Sequence, residues 1–228
     1  MYLNMSEIKT IIVNRSAYAD NDLEANALRA YLKEKGTFVV NLMSSPGAGK
    51  TTTLTKLINA LKNEYRIGVM EADIDSDVDA ISIAKNTGVK SIQLHTSGMC
   101  HLDAGMTKSG LDSIDINDLD LVFLENVGNL VCPAEFDTGA SLDIMILSVP
   151  EGDDKPLKYP LVFEKCDLVI INKIDTLEYF DFNLEKCTEW IKRRNKNATI
   201  IPISAKTGQG IELVAKYFKE KIRNWKEN

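Results

Sequence analysis

A lysine and a threonine stand side by side after a glycine-rich turn in Ser44-Ser45-Pro46-Gly47-Ala48-Gly49-Lys50-Thr51-Thr52. Residues of these types at this spacing hold phosphate. Backbone N–H groups of such a turn point inward at phosphate oxygens, and the N-terminus of a following helix adds partial positive charge. Gly47, Ala48, Gly49 and Thr52 would line the cradle, Lys50 would reach the outer phosphates, and the Thr51 hydroxyl would ligate Mg²⁺. Ser44 departs from the general G-x-x-x-x-G-K-[ST] pattern, which has glycine there. The flanks supply the context that the motif needs. An apolar run from Thr37 to Met43 reads as a strand, and Thr53-Leu54-Thr55-Lys56-Leu57-Ile58-Asn59-Ala60-Leu61 reads as an amphipathic helix. The pattern is that of a nucleoside-triphosphate site.

The base is specified downstream. A buried-strand pattern, Cys166-Asp167-Leu168-Val169-Ile170-Ile171, runs into Asn172-Lys173-Ile174-Asp175, the N-K-x-D signature of GTPases. The Asp175 carboxylate can accept hydrogen bonds from guanine N1–H and from the 2-amino group. Adenine offers neither donor, and a site built on such a bond discriminates by a factor on the order of 10⁴. The Lys173 stem would cover the base plane. A further strand pattern, Ala198-Thr199-Ile200-Ile201-Pro202-Ile203, ends in Ser204-Ala205-Lys206, which resembles the S-A-K element whose backbone contacts guanine O6.

Two more strand patterns end in acid. One is Arg66-Ile67-Gly68-Val69-Met70-Glu71-Ala72-Asp73, and the other is Asp120-Leu121-Val122-Phe123-Leu124-Glu125-Asn126-Val127-Gly128, with E-x-x-G where many GTPases have D-x-x-G. Strand ends of this kind meet at the carboxyl edge of a doubly wound sheet, where ligands bind. Mg²⁺ keeps several waters and takes one or two carboxylates, so Asp73 and Glu125 suffice beside Thr51. The catalytic set is therefore Lys50, Thr51, Asp73 and Glu125. Asp77 and Asp79 read better as a solvated, helix-capping loop.

A second constellation contains sulfur. Cys100-His101 in T-S-G-M-C-H-L-D-A and Cys132 in E-N-V-G-N-L-V-C-P form a donor set suited to Ni²⁺ or Zn²⁺ and poor for Mg²⁺. Cys132 lies four residues after Gly128, where a γ-phosphate would be felt. Three donors leave a four-coordinate site open to water, a backbone amide or a symmetric second subunit. The same spacing also fits small buried cysteines without metal. Cys166 and Cys187 fall on strand and helix patterns and read as structural, and His95 reads as a structural histidine at a strand end.

These groups require a sheet to position them. Apolar runs at 37–43, 66–72, 89–95, 120–124, 142–149, 166–171 and 198–203 predict seven strands. Several are continuously apolar, as in parallel strands covered on both faces. Helical patterns between them predict an α/β fold of the P-loop NTPase type, a mostly parallel seven-stranded sheet flanked by helices. Residues 20–35 predict a leading amphipathic helix ended by Gly36. Residues 1–36 are expected to form an N-terminal arm and helix, and 37–228 a GTPase domain with an embedded metal site. With 228 residues and a hydrophobic content of 44%, the chain is long and apolar enough for one large domain. A net charge of −6 argues against nucleic acid. The only basic cluster, Lys192-Arg193-Arg194-Asn195-Lys196, fits a helix C-terminus. No apolar stretch approaches membrane-spanning length and no signal peptide is evident, so a cytoplasmic protein without disulfides is expected.

The ordered set of phosphate loop, C-H-L-D-A, E-N-V-G-N-L-V-C-P, V-P-E-G-D-D, N-K-I-D and S-A-K closely resembles the HypB family of hydrogenase nickel-incorporation GTPases over about residues 30 to 220. The resemblance implies a dimerising, Mg²⁺-dependent, slow GTPase in which Cys100, His101 and Cys132 are Ni/Zn ligands. It also implies two partners, a HypA-type nickel chaperone and a [NiFe]-hydrogenase large-subunit precursor. In the dimer, the V-P-E-G-D-D segment with Lys155 would reach the facing subunit. Gly105 stands where some members have a further histidine, and residues 1–36 carry neither the Cys-x-x-Cys-Gly-Cys motif nor the histidine tract of others, which disfavours nickel storage. A urease-accessory GTPase and a metal-binding scaffold with incidental hydrolysis are the competing readings.

Overall fold

The computed structural model describes residues 15–73, 78–96 and 98–227, and in it each apolar run becomes a strand. The strands are β1 (Phe38–Ser44), β2 (Ile67–Asp73), β3 (Lys90–His95), β4 (Leu121–Glu125), β5 (Leu142–Ser148), β6 (Leu168–Asn172) and β7 (Thr199–Pro202). They form one sheet in the order β3-β2-β4-β1-β5-β6-β7, and every pairing is parallel. Parallel neighbours need long crossovers. After the leading helix α1 (Arg15–Lys35), the crossovers contain α2 (Lys50–Leu61), α3 (Val78–Thr87), α4 (Ala104–Ile114), α5 (Cys132–Glu135), α6 (Lys155–Lys158), α7 (Pro160–Lys165) and α8 (Leu184–Arg194), and α9 (Ile211–Glu227) follows β7. Asp75, Asp77 and nearly all of the arm expected over 1–15 lie outside the described residues.

Side chains alternate across a strand, so each strand feeds two cores. Phe38, Val40 and Leu42 of β1 face one side, with Leu54, Leu57, Ile58 and Leu61 of α2 and Val214, Phe218 and Ile222 of α9. On the other side, Val39, Met70, Val122 and Leu124 meet α1 and α4, while Met145, Leu147, Val169 and Ile171 meet α7 and α8. β3 departs from the expectation of strands covered on both faces. As an edge strand it is only half-buried, and His95 at its end is exposed. Trp225 packs edge-on against Phe38 at 5.3 Å, a packing role as expected.

Helix α1 starts earlier than the pattern over 20–35 suggested. Ala25, Leu28 and Leu32, at helical spacing, are buried in the core formed by β1, β2 and β4. Gly36 ends the helix at φ 73°, with Gly36 N–H donating to Lys33 O and Thr37 N–H to Leu32 O. The opposing loop is fitted to the helix. A Cβ on Gly139 would come within 2.8 Å of Leu28 Cδ2. Among the described residues no helix is long and apolar enough to cross a membrane.

One polar chain runs through the sheet centre. Asn126 Nδ2 donates to Asn41 Oδ1 (3.1 Å), Asn41 Nδ2 donates to Asp143 Oδ1 (2.8 Å), and Asn126 Oδ1 accepts from Val127 N–H (2.9 Å). Part of Asp143 reaches the surface, but its carboxyl is enclosed, and burial raises its pKa to about 6 against the opposing hydrogen bond from Asn41.

Two outcomes follow. Leu32→Ala removes the deepest anchor of α1 and is expected to cost about 2–5 kcal/mol in denaturant unfolding; a loss below 1 kcal/mol would show that α1 is not part of the cooperative unit. The folded Asp143 holds its proton more tightly than the unfolded chain does, so ionising it costs stability as pH rises from about 4 to about 6. Asp143→Asn keeps the oxygen that Asn41 donates to. Its melting temperature relative to the parent should climb across that window and stay level above it, and a pH-independent difference would refute the assignment.

Candidate functional site: a nucleotide cleft joined to a sulfur pair

β1 delivers the chain to the carboxyl edge of the sheet between β4 and β5, the place where an open α/β sheet binds ligand. Ser44, the departure from the glycine motif, is the fully buried last residue of β1. Only Asp115 and Lys173 among the described non-glycine residues have positive φ, so position 44 does not require glycine. The left-handed turns fall at Gly47 (φ 76°) and Gly49 (φ 94°) instead. Gly49 is also confined in space, because a Cβ there would lie 2.6 Å from Asn172 Nδ2. It precedes α2, whose first turn carries Lys50, Thr51 and the exposed Thr52, with backbone N–H groups available to phosphate.

The guanine-specifying segments close on this turn. Asn172 is 1% exposed. Its Nδ2 donates to Ala48 O (2.9 Å) and Thr53 Oγ1 (3.4 Å), while its Oδ1 accepts from Lys173 N–H (2.8 Å) and Ala205 N–H (3.1 Å). One amide thus ties the phosphate loop, the N-K-x-D loop and the S-A-K turn together. Lys173, at φ 64°, turns its side chain back over the phosphate loop, and its Nζ donates to Gly47 O at 2.7 Å. Asp175 is half-buried and its Oδ1 accepts from Ser204 Oγ at 2.6 Å. Ser204 and Ala205 are buried, and Lys206 beside them is exposed.

Next to the phosphate loop, Lys50, Glu71, Asp73, Asp79 and Glu125 line an acidic cleft. Lys50 Nζ stands 3.8 Å from Glu125 Oε1. Glu71 and Glu125, opposite each other on β2 and β4, are each 2% exposed. Burial raises both pKa values, and Glu71 donates a hydrogen bond to the Glu125 carboxylate, so the pair shares one proton. Glu71 Oε1 and Glu125 Oε2 remain without a protein partner. Thr51 Oγ1 donates to Asp79 Oδ1 at 3.0 Å. An all-oxygen donor set of Thr51, Asp73 and Glu125, with an unpartnered buried carboxylate oxygen, fits Mg²⁺. Glu71 was not singled out from sequence, and Asp79 was read as part of a solvated, helix-capping loop. Asp79 does lie in the first turn of α3, as a capping role would have it, yet its carboxylate faces the phosphate loop. The available signal for Glu71 was a charged residue inside an otherwise apolar strand.

From the cleft, the chain after β4 leads to sulfur. Gly128 packs on the phosphate loop, where a Cβ would lie 3.1 Å from Pro46 Cγ. Asn129 forms an antiparallel bridge with Ser44, accepts Val131 N–H at its Oδ1 (2.9 Å), and places its Nδ2 3.5 Å from Cys100 O. Cys132 then opens α5. Cys100 is set by a tight turn in which Thr96 Oγ1 donates to Met99 O (2.6 Å), and by Asp103, which caps α4 through Met106 N–H (2.8 Å). Cys132 lies near Cys100, and this neighbouring thiol together with burial raises the Cys100 pKa. His101 Nδ1 is 3.9 Å from Cys100 Sγ, and the imidazole stacks on Phe136 at 3.8 Å and 10°. Burial lowers the His101 pKa, with Asp103 and Glu135 opposing, which favours the neutral form that binds metal. Among the described residues no three His, Cys, Asp or Glu side chains are gathered closely enough to hold a metal by themselves. Both sulfur loops are braced by α1. Asn21 accepts Ala104 N–H and donates to Asp137 O, each at 3.0 Å, and Arg29 makes a two-pronged pair with Asp137.

Known proteins share this arrangement. The CobW/HypB/UreG nucleotide-binding domain family matches residues 38–202. A hydrogenase maturation factor HypB of Azotobacter chroococcum is 42% identical over 91% of this chain and 68% of its own length. A hydrogenase/urease maturation factor HypB of Helicobacter hepaticus is 41% identical over 93% of this chain and 88% of its own. The crystal structure of HypB from Helicobacter pylori in complex with nickel superposes with a TM-score of 0.85 at 38% identity, covering 90% of this chain and 96% of that one. HypB from Archaeoglobus fulgidus gives 0.83 at 37% identity, over 90% and 99%. The signal recognition particle receptor FtsY, at 15% identity and a TM-score of 0.56, shares the fold. The chain belongs to the CobW/HypB/UreG nucleotide-binding family, among the HypB proteins.

Proposed function

We propose that the chain is a GTP-hydrolysing nickel metallochaperone that assists nickel insertion into a hydrogenase precursor, with GTP-dependent dimerisation coupled to metal binding. The observation that carries this reading is the course of residues 125–132. They begin beside Lys50, pass over Pro46 at Gly128, and end at Cys132, near Cys100.

In this reading the N–H groups of the glycine turn and Lys50 neutralise charge developing on the transferred phosphoryl group. Asp175 selects guanine, Asn172 holds the base loop on the phosphate loop, and the Lys173 stem leaves Gly47 to cover the base. Thr51, Asp73 and Glu125 would hold Mg²⁺, which would supply charge neutralisation at the β- and γ-phosphates.

Nickel is cargo. Cys100, His101 and Cys132 are its ligands in the proposal; among the described residues they form no closed cluster, and a second copy of the chain or an outside donor would complete the set. The Cys100 thiol must lose its proton to bind, so nickel uptake releases protons and strengthens with pH. Zn²⁺ is accepted by the same donors. The partners in this scheme are a second copy of the chain, a HypA-type chaperone that brings nickel, and the hydrogenase large-subunit precursor that receives it, all in the cytoplasm. Lys155, at the start of α6, is placed in the dimer contact, and residues 1–36 are treated as an arm and helix joined to the GTPase domain.

Two measurements test this reading. In Asp175→Asn the side-chain amide opposes the N1–H and 2-amino donors of guanine, while its oxygen can still accept from Ser204. GTP affinity should fall by roughly 100-fold or more, with xanthosine triphosphate, which carries a carbonyl at C2, bound in its place. Unchanged GTP affinity would remove Asp175 from the base site. Nickel affinity of the GTP-analogue and GDP forms should differ by roughly 5- to 150-fold, and by linkage nickel should change GTP affinity equally. Cys132→Ala should abolish the nickel response and leave GTP binding intact. Equal nickel affinities in the two nucleotide states would sink the switch.

A further inference from the structure

Resting on the coupling just proposed, we infer that Asn129 is the positioning residue that transmits the state of the phosphate loop to the sulfur pair. It lies between the two sites and touches three parts at once. Its backbone pairs with Ser44, the last residue before the phosphate loop. Its carboxamide oxygen accepts Val131 N–H at 2.9 Å and so shapes the turn that delivers Cys132. Its carboxamide nitrogen reaches the carbonyl of Cys100 at 3.5 Å. The two cysteines come from loops far apart in sequence, and Asn129 contacts both of those loops.

The neighbouring contacts make this linkage stiff. Gly128 lies against Pro46, where a Cβ would come within 3.1 Å of Pro46 Cγ, and the Ser44–Asn129 bridge joins the 128–129 backbone to the start of the phosphate loop. Leu130, the next residue, is 6% exposed and buried with Met43, Ala134 and Val149. A shift of the loop at Ser44 and Pro46 is therefore passed along a short, packed segment, and the two arms of the Asn129 amide divide it between Cys132 and Cys100. Val131 and Met99, each directly before a cysteine, are exposed, so neither is locked into the core beside its cysteine.

The chemistry of the amide offers a selective probe. Asn129→Asp keeps an oxygen to cap Val131 N–H, replaces the donor aimed at Cys100 O with an acceptor, and adds a negative charge that acts in both nucleotide states, so the ratio between them is the readout. Asn129→Ala removes both contacts. Nickel is titrated by competition with a chromophoric chelator into the full-length chain carrying GDP or a nonhydrolysable GTP analogue, and GTP affinity is measured separately. The parent should show a nickel affinity ratio of roughly fivefold or more between the two nucleotide states. In Asn129→Asp the ratio should collapse to within about twofold of unity, while GTP affinity and nickel affinity in the GDP state stay within about threefold of the parent. Asn129→Ala should do the same with a lowered melting temperature, and if it does not fold, the Asp variant decides.

Retention of the parent ratio in Asn129→Asp overturns the inference and leaves the switch standing. Loss of nickel binding in both nucleotide states also overturns it, since Asn129 would then be part of the scaffold of the site. A parent ratio of unity overturns the switch, and this inference with it.

Discussion

The Asn172 carboxamide is the interaction on which the rest of the site depends. It is buried, and all four of its hydrogen-bonding directions are used within the protein: two towards the phosphate loop and α2, two towards the loops after β6 and β7. A buried amide left half-satisfied costs roughly 1–3 kcal/mol per lost bond, so the three loops are held in one relative position or the network fails as a unit. The same contact dictates Gly49. The φ of 94° there already disfavours any other residue, and the 2.6 Å approach of Asn172 Nδ2 to the missing Cβ adds a steric bar. Nucleotide recognition is thus assembled around an internal bond before any ligand contributes.

A second constraint is electrostatic. Two carboxyl groups, Glu71 and Glu125, are buried side by side next to one lysine that is itself mostly covered. Neither can ionise freely at that depth, and one proton between them lowers the cost of keeping both. The arrangement fixes Glu125, whose backbone leads into the Asn126–Gly128 segment. Asn126 is held in turn by Asn41 and through it by Asp143. Acid and amide groups that would be unfavourable in an ordinary core therefore hold the beginning of the one segment that joins the cleft to Cys132.

Much of this was legible in the sequence. The seven strands were visible because parallel strands covered on both faces leave continuous apolar runs, and the phosphate loop, N-K-I-D and S-A-K read directly because each sits at a strand end. What remained hidden depended on register and on distant contacts. Glu71 is two residues from Asp73, but its partnership with Glu125 exists only because β2 and β4 align at that step. Asp79 follows a run of aspartates that looks like a solvated cap, and its contact with Thr51 spans two helices. β3 was grouped with the apolar runs, although Lys90, Ser91, Gln93 and His95 interrupt its apolar residues and are the local mark of a half-exposed edge strand. Ser44 looked like a defect in the motif. It is accommodated because the positive φ angles fall at Gly47 and Gly49, and because its backbone is bridged to Asn129.

Helix α1 shows the same limit from the other direction. Its amphipathic pattern announced packing, and Leu28 and Leu32 do pack. The pattern could not show that the polar residues of the helix serve the sulfur loops. Asn21 holds Ala104 and Asp137, four residues beyond Cys100 and five beyond Cys132, and Arg29 fixes Asp137 a second time. The two cysteine loops are consequently tethered at their far ends to a helix anchored in the core, and at their near ends to each other through Asn129 and Cys100. A segment clamped at one end and attached to the phosphate loop at the other responds to displacement by changing the separation of its middle, where the thiols lie. The coupling proposed between phosphate and sulfur would then need no domain motion, only a shift at Pro46 and Gly128 that the α1 brace does not absorb.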